Sequence, residues 1–473
     1  MTSPSERPAP GGSERRWSAR LRSEIAAHTI AWAYLVLALS FGLALVVIVP
    51  PFQTNDAPEH YARSWAIAEG QLFVGEGGAV ELPSNVSSLF DDMQAGYVMW
   101  GSVPYDAGAT LSRLGDEVSA DSVEHVTVTG TYSPVGYLPQ ALGIDLVRLF
   151  GGSPLMGLYV ASLFMLLASA ALTFWAVRLT PFGAPVLALV ALLPMSITLC
   201  ASLNPSALLN AGALLWIALV LKAAKSTDVR TSLAAILAVT SIVLLTVKPG
   251  YVALALVILV VPRGAYPSTR RYWATTIACI AGTAAVTAAL LVSAPQLPAE
   301  VLQARSVGVG DAAGQIRFVL EHPWAFTKVL AGSFSGDALV WLKELVGAPG
   351  RGRVVLSDAA ILVALLGALL LMMRSATREV RLATWQRAGF LGVAAVSAAI
   401  IPASFYVLAM PIAAGMIVGV QGRYFLPIVP CLLIGLYGLR LQHRWTPITV
   451  VSACALLMAV MTIVALVRHF YAW

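Results

Sequence analysis

The chain has 473 residues, a formal net charge of +6, 58% hydrophobic and 11% charged residues, and a mean hydropathy of +0.79. A soluble protein carries about 25% charged residues, so this composition excludes a soluble enzyme and indicates an integral membrane protein with no nucleic-acid partner. The four cysteines lie in or beside apolar segments without a CxxC pair, which predicts buried thiols and neither metal ligands nor a disulfide framework.

The N-terminal part predicts a basic tail followed by a first membrane span. Residues 1–29 are polar and contain five arginines, and residues 30–49 are apolar over a length that crosses a bilayer at about 1.5 Å per residue. No small-residue cleavage site follows the apolar segment. We therefore expect a retained helix with its N-terminus in the cytoplasm.

The next segment, 50–72, reads PPFQTNDAPEHYARSWAIAEGQL and places ionisable groups at a membrane surface. Asp56, Glu59 and His60 are three and four residues apart, so they would share one face of a helix that begins here. Asn55 or Asp56 also stands where a helix N-cap is expected. Asp56 is thus either only a cap or a functional carboxylate.

Two long loops are predicted, over residues 50–153 and 295–356. In the first loop, alternation in residues 123–128 predicts a short strand pair. Residues 132–150 predict a helix in the membrane interface, because apolar residues recur at helical spacing but prolines and charges interrupt them. The charges of the second loop indicate largely a solvated face.

The fold class is therefore all-α and polytopic, with about eleven transmembrane helices and a long first extracytoplasmic loop that carries interfacial helices. Residues 30–473 form one transmembrane domain after the tail. Besides the first span, the predicted spans are 154–177, 184–200, 205–221, 231–247, 250–262, 273–294, 357–373, 389–409, 424–439 and 447–467.

The charges between these spans predict the orientation. With alternating spans, the inner segments hold 18 of the 30 Lys and Arg residues and only 5 of the 24 Asp and Glu residues. This basic excess on inner connections is what the positive-inside rule requires. The protein is expected in a bacterial inner (plasma) membrane, with its active face extracytoplasmic.

The unusual polar motifs then fall on the outer face. They are the Asp56 segment, the Asn204-Pro205 motif, Lys248 and Arg423. Each has a plain alternative, since terminal Lys and Arg residues commonly snorkel and Asn-Pro commonly starts a helix. Likewise, the aromatic residues beside these motifs suit a membrane-interface belt; they are Tyr251, Trp324 and Tyr424.

An acid beside the first helix together with cations in later outer loops suits a lipid-linked phosphate. A polyprenyl phosphate keeps its tail in the bilayer and its phosphate at the interface, where Arg binds it in bidentate fashion and Lys as a point charge. A nearby carboxylate can take the proton of an attacking hydroxyl, and the cations stabilise the departing phosphate.

The segment 50–70 resembles the proline, acidic and histidine signature of the bacterial membrane proteins known as domain of unknown function 2142 (DUF2142). The resemblance continues through YSPVGYLPQA, SLNPSALLNA, KPGY and QGRYFLP, and it covers nearly the whole chain after about residue 30. That family is in turn similar to the GT-C glycosyltransferases, which are polytopic enzymes with polyprenyl-phosphate sugar donors and an acid just after the first helix.

The resemblance implies roles for particular residues. Asp56 and Glu59 would be catalytic. The donor phosphate would contact Arg423, Lys248, His60 and Tyr424. The acceptor or second-loop site would include Asn204, Ser206, Tyr132 and Tyr137.

A divalent metal (Mg, Mn or Ca), if one binds, would use Asp56. Relatives often have an acid where this chain has Ser206, which weakens the case for a metal site built from two carboxylates.

The expected function is transfer of a sugar, with inversion, from a polyprenyl-phosphate donor to an extracytoplasmic glycan, lipid or protein acceptor in cell-envelope assembly. A transporter or flippase of lipid-linked saccharides is an alternative, although the charges sit at loop level and no repeat is seen. A non-catalytic assembly subunit of envelope polysaccharide synthesis is a third interpretation.

Overall fold

The computed structural model describes residues 28–297, 311–350, 352–373, 382–437 and 445–472. The basic tail predicted over 1–29 therefore lies almost entirely outside the described residues, as does the 298–310 part of the second predicted loop. The described α-helices are α1 Thr29–Ile48, α2 Ala57–Ala68, α3 Ser84–Asp92, α4 Ala95–Met99, α5 Ala107–Ser112, α6 Leu138–Leu149, α7 Pro154–Leu179, α8 Ala184–Ala191, α9 Pro194–Cys200, α10 Ser206–Ala224, α11 Thr231–Leu244, α12 Thr269–Val292, α13 Ala312–Glu321, α14 Pro323–Gly347, α15 Asp358–Met372, α16 Thr384–Ala409, α17 Val429–Leu436 and α18 Pro447–Phe470.

Short helical turns and one small sheet complete the described structure. The strands β1 (Ala79–Pro83) and β2 (Ser122–Val126) pair antiparallel, with Glu81 opposite Glu124. This confirms the strand predicted within 123–128. The 3₁₀ segments are Glu76–Gly78, Arg113–Gly115, Thr129–Thr131, Pro134–Tyr137, Pro249–Val260, Arg263–Ala265 and Gly422–Phe425.

Six of the described helices are long and apolar enough to cross a membrane: α1, α7, α10, α12, α16 and α18. The prediction of about eleven transmembrane helices is therefore not confirmed among the described residues. Five predicted spans are shorter or interrupted, because α11 and α15 have 14 and 15 residues and the other three regions do not form a single long helix.

Proline explains most of those interruptions. The predicted span 184–200 is two helices, α8 and α9, because Pro194 begins the second and cannot donate a backbone hydrogen bond to the first. The predicted span 424–439 likewise shortens to a 3₁₀ turn followed by α17, with Pro430 in its first turn. The predicted span 250–262 is a 3₁₀ segment that begins at Pro249.

The second predicted loop is instead largely helical. Residues 311–347 contain α13 and the 25-residue α14, separated at His322 and Pro323. Asp311 caps α13, because its Oδ1 accepts a hydrogen bond from the backbone N–H of Gly314 at 2.9 Å. Helix α14 then reaches the 3₁₀ turn Gly422–Phe425, which is part of the site described below.

The main hydrophobic core joins the long helices, with α7 packed against α1, α6 and α10. Helix α10 is the most enclosed of the six apolar helices, and its Trp216 donates from Nε1 to the carbonyl of Leu254 at 2.8 Å. A second hydrophobic cluster, around Trp65 of α2, packs residues of the 50–153 segment against Leu158 and Ala161 of α7. This cluster fixes α2, and with it Asp56, against α7.

Helix α6 confirms the helix predicted within 132–150. It buries one face on α7 and leaves an apolar stripe exposed at i, i+4 and i+8 spacing, formed by Leu138, Leu142 and Leu146. An exposed apolar stripe on a short helix is typical of an element that lies at a membrane surface.

Candidate functional site

At residue 56 a carboxylate bonds a guanidinium from the far end of the chain. Asp56 precedes α2 with a left-handed backbone (φ 55°, ψ 26°), and its side chain accepts no hydrogen bond from the first turn of the helix. Instead its Oδ2 lies 2.6 Å from Nη2 of Arg423. Asp56 therefore occupies the predicted N-cap position, but the interpretation that its side chain serves only as a cap is wrong. The Asp56 side chain is still 48% exposed, so a ligand can reach it.

Arg423 is held in place from several sides. Its Nε donates to Gln421 Oε1 at 2.6 Å, and Nη2 also lies 3.4 Å from the hydroxyl of Tyr424. The side chain is only 3% exposed, and its Nη1 is buried without a hydrogen-bond partner among the described residues. A snorkelling arginine would reach solvent, so that interpretation fails for Arg423. Its unpartnered Nη1 is a donor available to an anion.

The backbone that carries Arg423 packs closely on α14. The N–H of Gly422 donates to Glu344 Oε2 at 2.6 Å, and Trp341 Nε1 donates to the carbonyl of Val420 at 3.2 Å. A Cβ added at Gly422 would lie 1.8 Å from the carbonyl oxygen of Trp341. Only glycine fits this approach, which explains the glycine in the QGRY motif.

Lys248 supplies a second buried cation. Its side chain is 7% exposed, and Nζ lies 4.5 Å from the centroid of the Tyr132 ring, a cation–π distance. Burial and, after it, the charge of Arg423 lower the pKa of Lys248 to about 7, although Asp56 opposes the change. Lys248 is therefore buried and does not snorkel, and its charge depends on nearby anions.

The charges at the site are coupled. Partial desolvation by the surrounding protein would raise the pKa of Asp56, but Arg423, with His60 and Lys248, holds that pKa well below its ordinary value. Burial would lower the pKa of Arg423, but the Asp56 carboxylate raises it. Both groups are therefore charged at neutral pH, and each stabilises the other's ionised form.

His60 is enclosed on the neighbouring turn of α2. Its Nδ1 lies 2.9 Å from the hydroxyl of the fully buried Tyr137, and its Nε2 has no partner among the described residues. Burial and, after it, the charge of Lys248 lower the pKa of His60 to about 3, although Asp56 opposes the change. His60 is thus neutral at pH 7, and as a phosphate contact it could act only as a neutral donor.

Glu59 faces a different part of the structure. Its Oε2 accepts from the backbone N–H of Val128 at 3.2 Å and lies 3.4 Å from Thr127 Oγ1. The structure therefore brings Asp56 and His60 toward the later cations but directs Glu59 to the segment that follows β2.

The Asn204 motif connects the site loops. Asn204 Nδ2 donates to the carbonyl of Asn55 at 3.2 Å, and its Oδ1 accepts from the buried Ser206 backbone N–H at 3.0 Å. A Cβ added at Gly136 would meet Val247 and Pro205 at 2.8 and 2.9 Å. The five sequence motifs therefore converge. Asn204 positions the residue next to Asp56 and is more than the start of α10.

The aromatic residues of the site are packed inside it. Tyr424 stacks on Phe405 with ring centroids 5.6 Å apart, and its carbonyl accepts from the buried Tyr251 hydroxyl at 2.9 Å. Trp324, in contrast, is 70% exposed on α14. The belt interpretation therefore does not describe Tyr251, which is an internal hydrogen-bond donor.

A polar cleft of about 270 Å³ opens beside the ion pair. Arg423 and Asn55 line it, together with Glu344, Gln421 and Arg353. The prediction from sequence did not assign Arg353, Gln421 or Glu344 to the site. The glycine at position 422 was a usable sequence signal for a close backbone contact, which the structure shows to be with α14 and Glu344. No spacing or pattern distinguishes Arg353 from other loop arginines.

The residues present do not fit a divalent metal. The described residues contain no group of three His, Cys, Asp or Glu side chains placed to hold one. Oδ2 of Asp56 is engaged by Arg423, and Ser206 has no carboxylate to offer as a second ligand. The donor set therefore suits an anion rather than a cation.

A family model described as "Predicted membrane protein (DUF2142)" matches residues 39–432. The chain belongs to this family. The match includes all five motifs of the site, from Asp56 to Arg423, so the converging residues are within the DUF2142 region. No curated protein and no solved structure shows significant similarity to the chain.

Proposed function

We propose that this DUF2142 protein is a GT-C-like glycosyltransferase that moves a sugar from a polyprenyl-phosphate donor to an extracytoplasmic glycan, lipid or protein acceptor. The observation that carries the proposal is the buried Arg423, bonded to Asp56 through one nitrogen and unpartnered at another, at the edge of a polar cleft. A buried guanidinium with a free donor is a suitable partner for a phosphate oxygen.

In the proposed reaction an acceptor hydroxyl attacks the anomeric carbon of the donor. The new carbon–oxygen bond forms as the bond to the phosphate oxygen breaks, and the hydroxyl proton passes to the Asp56 carboxylate. The phosphate leaves with the bonding electrons, and Arg423 and Lys248 stabilise the charge that develops on it. A single displacement of this kind inverts the anomeric configuration.

The ion pair sets the order of events in this mechanism. While Arg423 holds Asp56, the lowered pKa makes the carboxylate a weak base. A donor phosphate that binds Arg423 Nη1 and Lys248 shares the guanidinium charge and weakens its hold on Asp56. Donor binding would therefore raise the basicity of Asp56 when the acceptor needs it.

The membrane setting fits a lipid-linked donor. The site lies at the ends of apolar helices, and α6 offers an exposed apolar stripe on the same segment of the chain as Tyr132 and Tyr137. As part of the proposal, this end of the molecule faces away from the cytoplasm in a bacterial inner membrane. The donor lipid would then approach from the outer leaflet.

The test is sugar transfer by membranes that contain Asp56→Asn, an isosteric change without a base. With a panel of radiolabelled polyprenyl-phosphate hexoses and pentoses, we expect a rate loss of at least about 100-fold, typical of a lost general base. Asp91→Asn, an exposed acid of the same segment, is the matched control and should keep the wild-type rate.

Full activity in Asp56→Asn would remove Asp56 from the mechanism. If sealed vesicles move a labelled lipid-linked saccharide across the membrane without a new glycosidic bond, the protein is a carrier and not a transferase. If the wild-type protein neither transfers nor transports any member of the panel, the assembly-subunit interpretation is favoured.

A further inference from the structure

A second cavity, of about 380 Å³, is lined by none of the residues that were given a role in the chemistry proposed above. It is formed by the start of the 50–153 segment, by α4 and by α5, and its volume is within the range of small-molecule sites, about 300–1,000 Å³. At about 30 Å³ per water molecule it has room for roughly a dozen waters, comparable with one sugar ring and its hydroxyls.

One buried polar atom at this cavity lacks a partner. Gln53 lines the cavity and is 1% exposed. Its Nε2 donates to the carbonyl of Ala95 at 2.9 Å, but its Oε1 has no hydrogen bond among the described residues. An unsatisfied buried acceptor is costly, on the order of 1–3 kcal/mol, and a bound hydroxyl would satisfy it.

The charges of the lining favour a neutral ligand. Asp92 is engaged by Arg113 and by Ser88, and Asp106 Oδ1 caps α5 through the N–H of Ala109 at 2.9 Å. The acids and the arginine of this lining therefore already have partners, so none of them would attract a charged ligand. The rest of the lining combines uncharged polar side chains, from Gln94, Tyr105 and Thr110, with apolar ones that suit the C–H face of a sugar ring, from Pro50, Pro51, Val98, Val103 and Pro104.

Neighbouring parts of the chain line the cavity and the polar cleft. Gln53 lines the cavity and Asn55 lines the cleft, so the chain between Pro50 and Asp56 separates the two. Trp100, directly after α4, lies under the guanidinium of Arg353, which lines the cleft, at 3.6 Å from the ring centroid. A ligand in the cavity would therefore lie close to the Asp56 segment.

We infer that this cavity is a binding site for a neutral saccharide unit. That it holds the acceptor of the reaction rests on the proposed function, whereas saccharide binding itself does not. The site orients hydroxyls through the Gln53 oxygen and packs the ring against the two prolines that follow α1.

The test uses the full chain in lipid nanodiscs prepared without glycoside detergents. A panel of methyl glycosides of neutral hexoses and pentoses is titrated by saturation-transfer NMR. We expect at least one to bind with an affinity on the order of 1 mM. Ala109→Phe, which fills the cavity from an exposed helix position, should weaken binding at least tenfold.

Ala107→Phe is the matched control, because residue 107 is exposed on the same helix but does not line the cavity; it should bind as the wild type does. Absence of binding by every glycoside, or equal binding in Ala109→Phe, overturns the inference. If binding depends on Ala109 but no transfer is found in any assay, the cavity assignment stands and the transferase proposal fails. Loss of transfer in Ala109→Phe with intact donor binding supports the acceptor assignment.

Discussion

Arg423 illustrates how much one side chain can organise. Its Nε donates to Gln421, its Nη2 donates to Asp56, and its Nη1 is buried without a hydrogen-bond partner among the described residues. A buried, half-satisfied guanidinium is stable only when an anion stays close, so this position requires arginine. Lysine would offer a single point charge and could not make these separate contacts.

The Lys248 side chain predicts how the affinity for a phosphate lipid depends on pH. In the free protein burial and Arg423 lower its pKa to about 7, with Asp56 opposing the change. A bound phosphate would raise that pKa, so above pH 7 binding must take up a proton. The affinity for a polyprenyl monophosphate should therefore fall as pH rises from 7 to 9, by up to about tenfold per unit.

The measurement is a Kd for the monophosphate lipid in nanodiscs at several pH values. The phosphate itself is already a dianion above its second pKa of about 6, so it does not cause the trend. Lys248→Arg keeps the charge at every pH and should give a flat profile. A flat profile in the wild type, or an equal slope in the arginine variant, would exclude Lys248 as a phosphate contact.

For individual residues, the sequence predicted most members of the candidate site because these residues are chemically unusual for their surroundings. Asp56, Lys248 and Arg423 each interrupt or border apolar segments, which is why they could be recognised. Side-chain direction was not predictable in the same way. Glu59 and His60 are neighbours on α2, yet one bonds Val128 and the other Tyr137.

Among the elements, the contact between α14 and the 3₁₀ turn Gly422–Phe425 positions the ion pair. Gly422→Ala should push the turn away from the Trp341 carbonyl, which a Cβ would approach to 1.8 Å. Overpacking of this kind costs about 1–3 kcal/mol, and the displaced Arg423 should lose affinity for the monophosphate lipid. Thermal unfolding and lipid binding measure the two effects.

Gly415→Ala provides the control, since a Cβ there meets no atom within 4 Å. It should leave both the midpoint of unfolding and lipid affinity unchanged. Wild-type binding by Gly422→Ala would mean that the turn does not need this close approach to place Arg423.

The elements also show where composition is an incomplete guide. Helix α2 and strand β2 were predictable, because capping residues and alternation are local signals. The interruption of the predicted span 184–200 at Pro194 and the 3₁₀ segment that begins at Pro249 coincide with prolines inside apolar segments, which mean hydropathy does not report. Helix α14 was missed because its four charged residues made it resemble a loop.

For the whole molecule, the distribution of basic residues predicts that the site end faces outward. The prediction can be checked with single cysteines and a membrane-impermeant maleimide, because the four native cysteines are buried or half-buried. Ser102→Cys, exposed beside the cavity, should label in intact cells. Thr227→Cys, between α10 and α11, should label only after lysis, and the reverse pattern would invert the topology.

The backbone of the Pro50–Asp56 segment has a thermodynamic consequence for ligands. Phe52 and Asp56 both adopt positive φ angles, 63° and 55°, which non-glycine residues rarely tolerate. Bonds from Asn204 and Gln53 hold the segment in that shape before any ligand arrives. Ligand binding beside this segment should therefore restrict few additional backbone torsions. Calorimetry should record only a small loss of conformational entropy on binding.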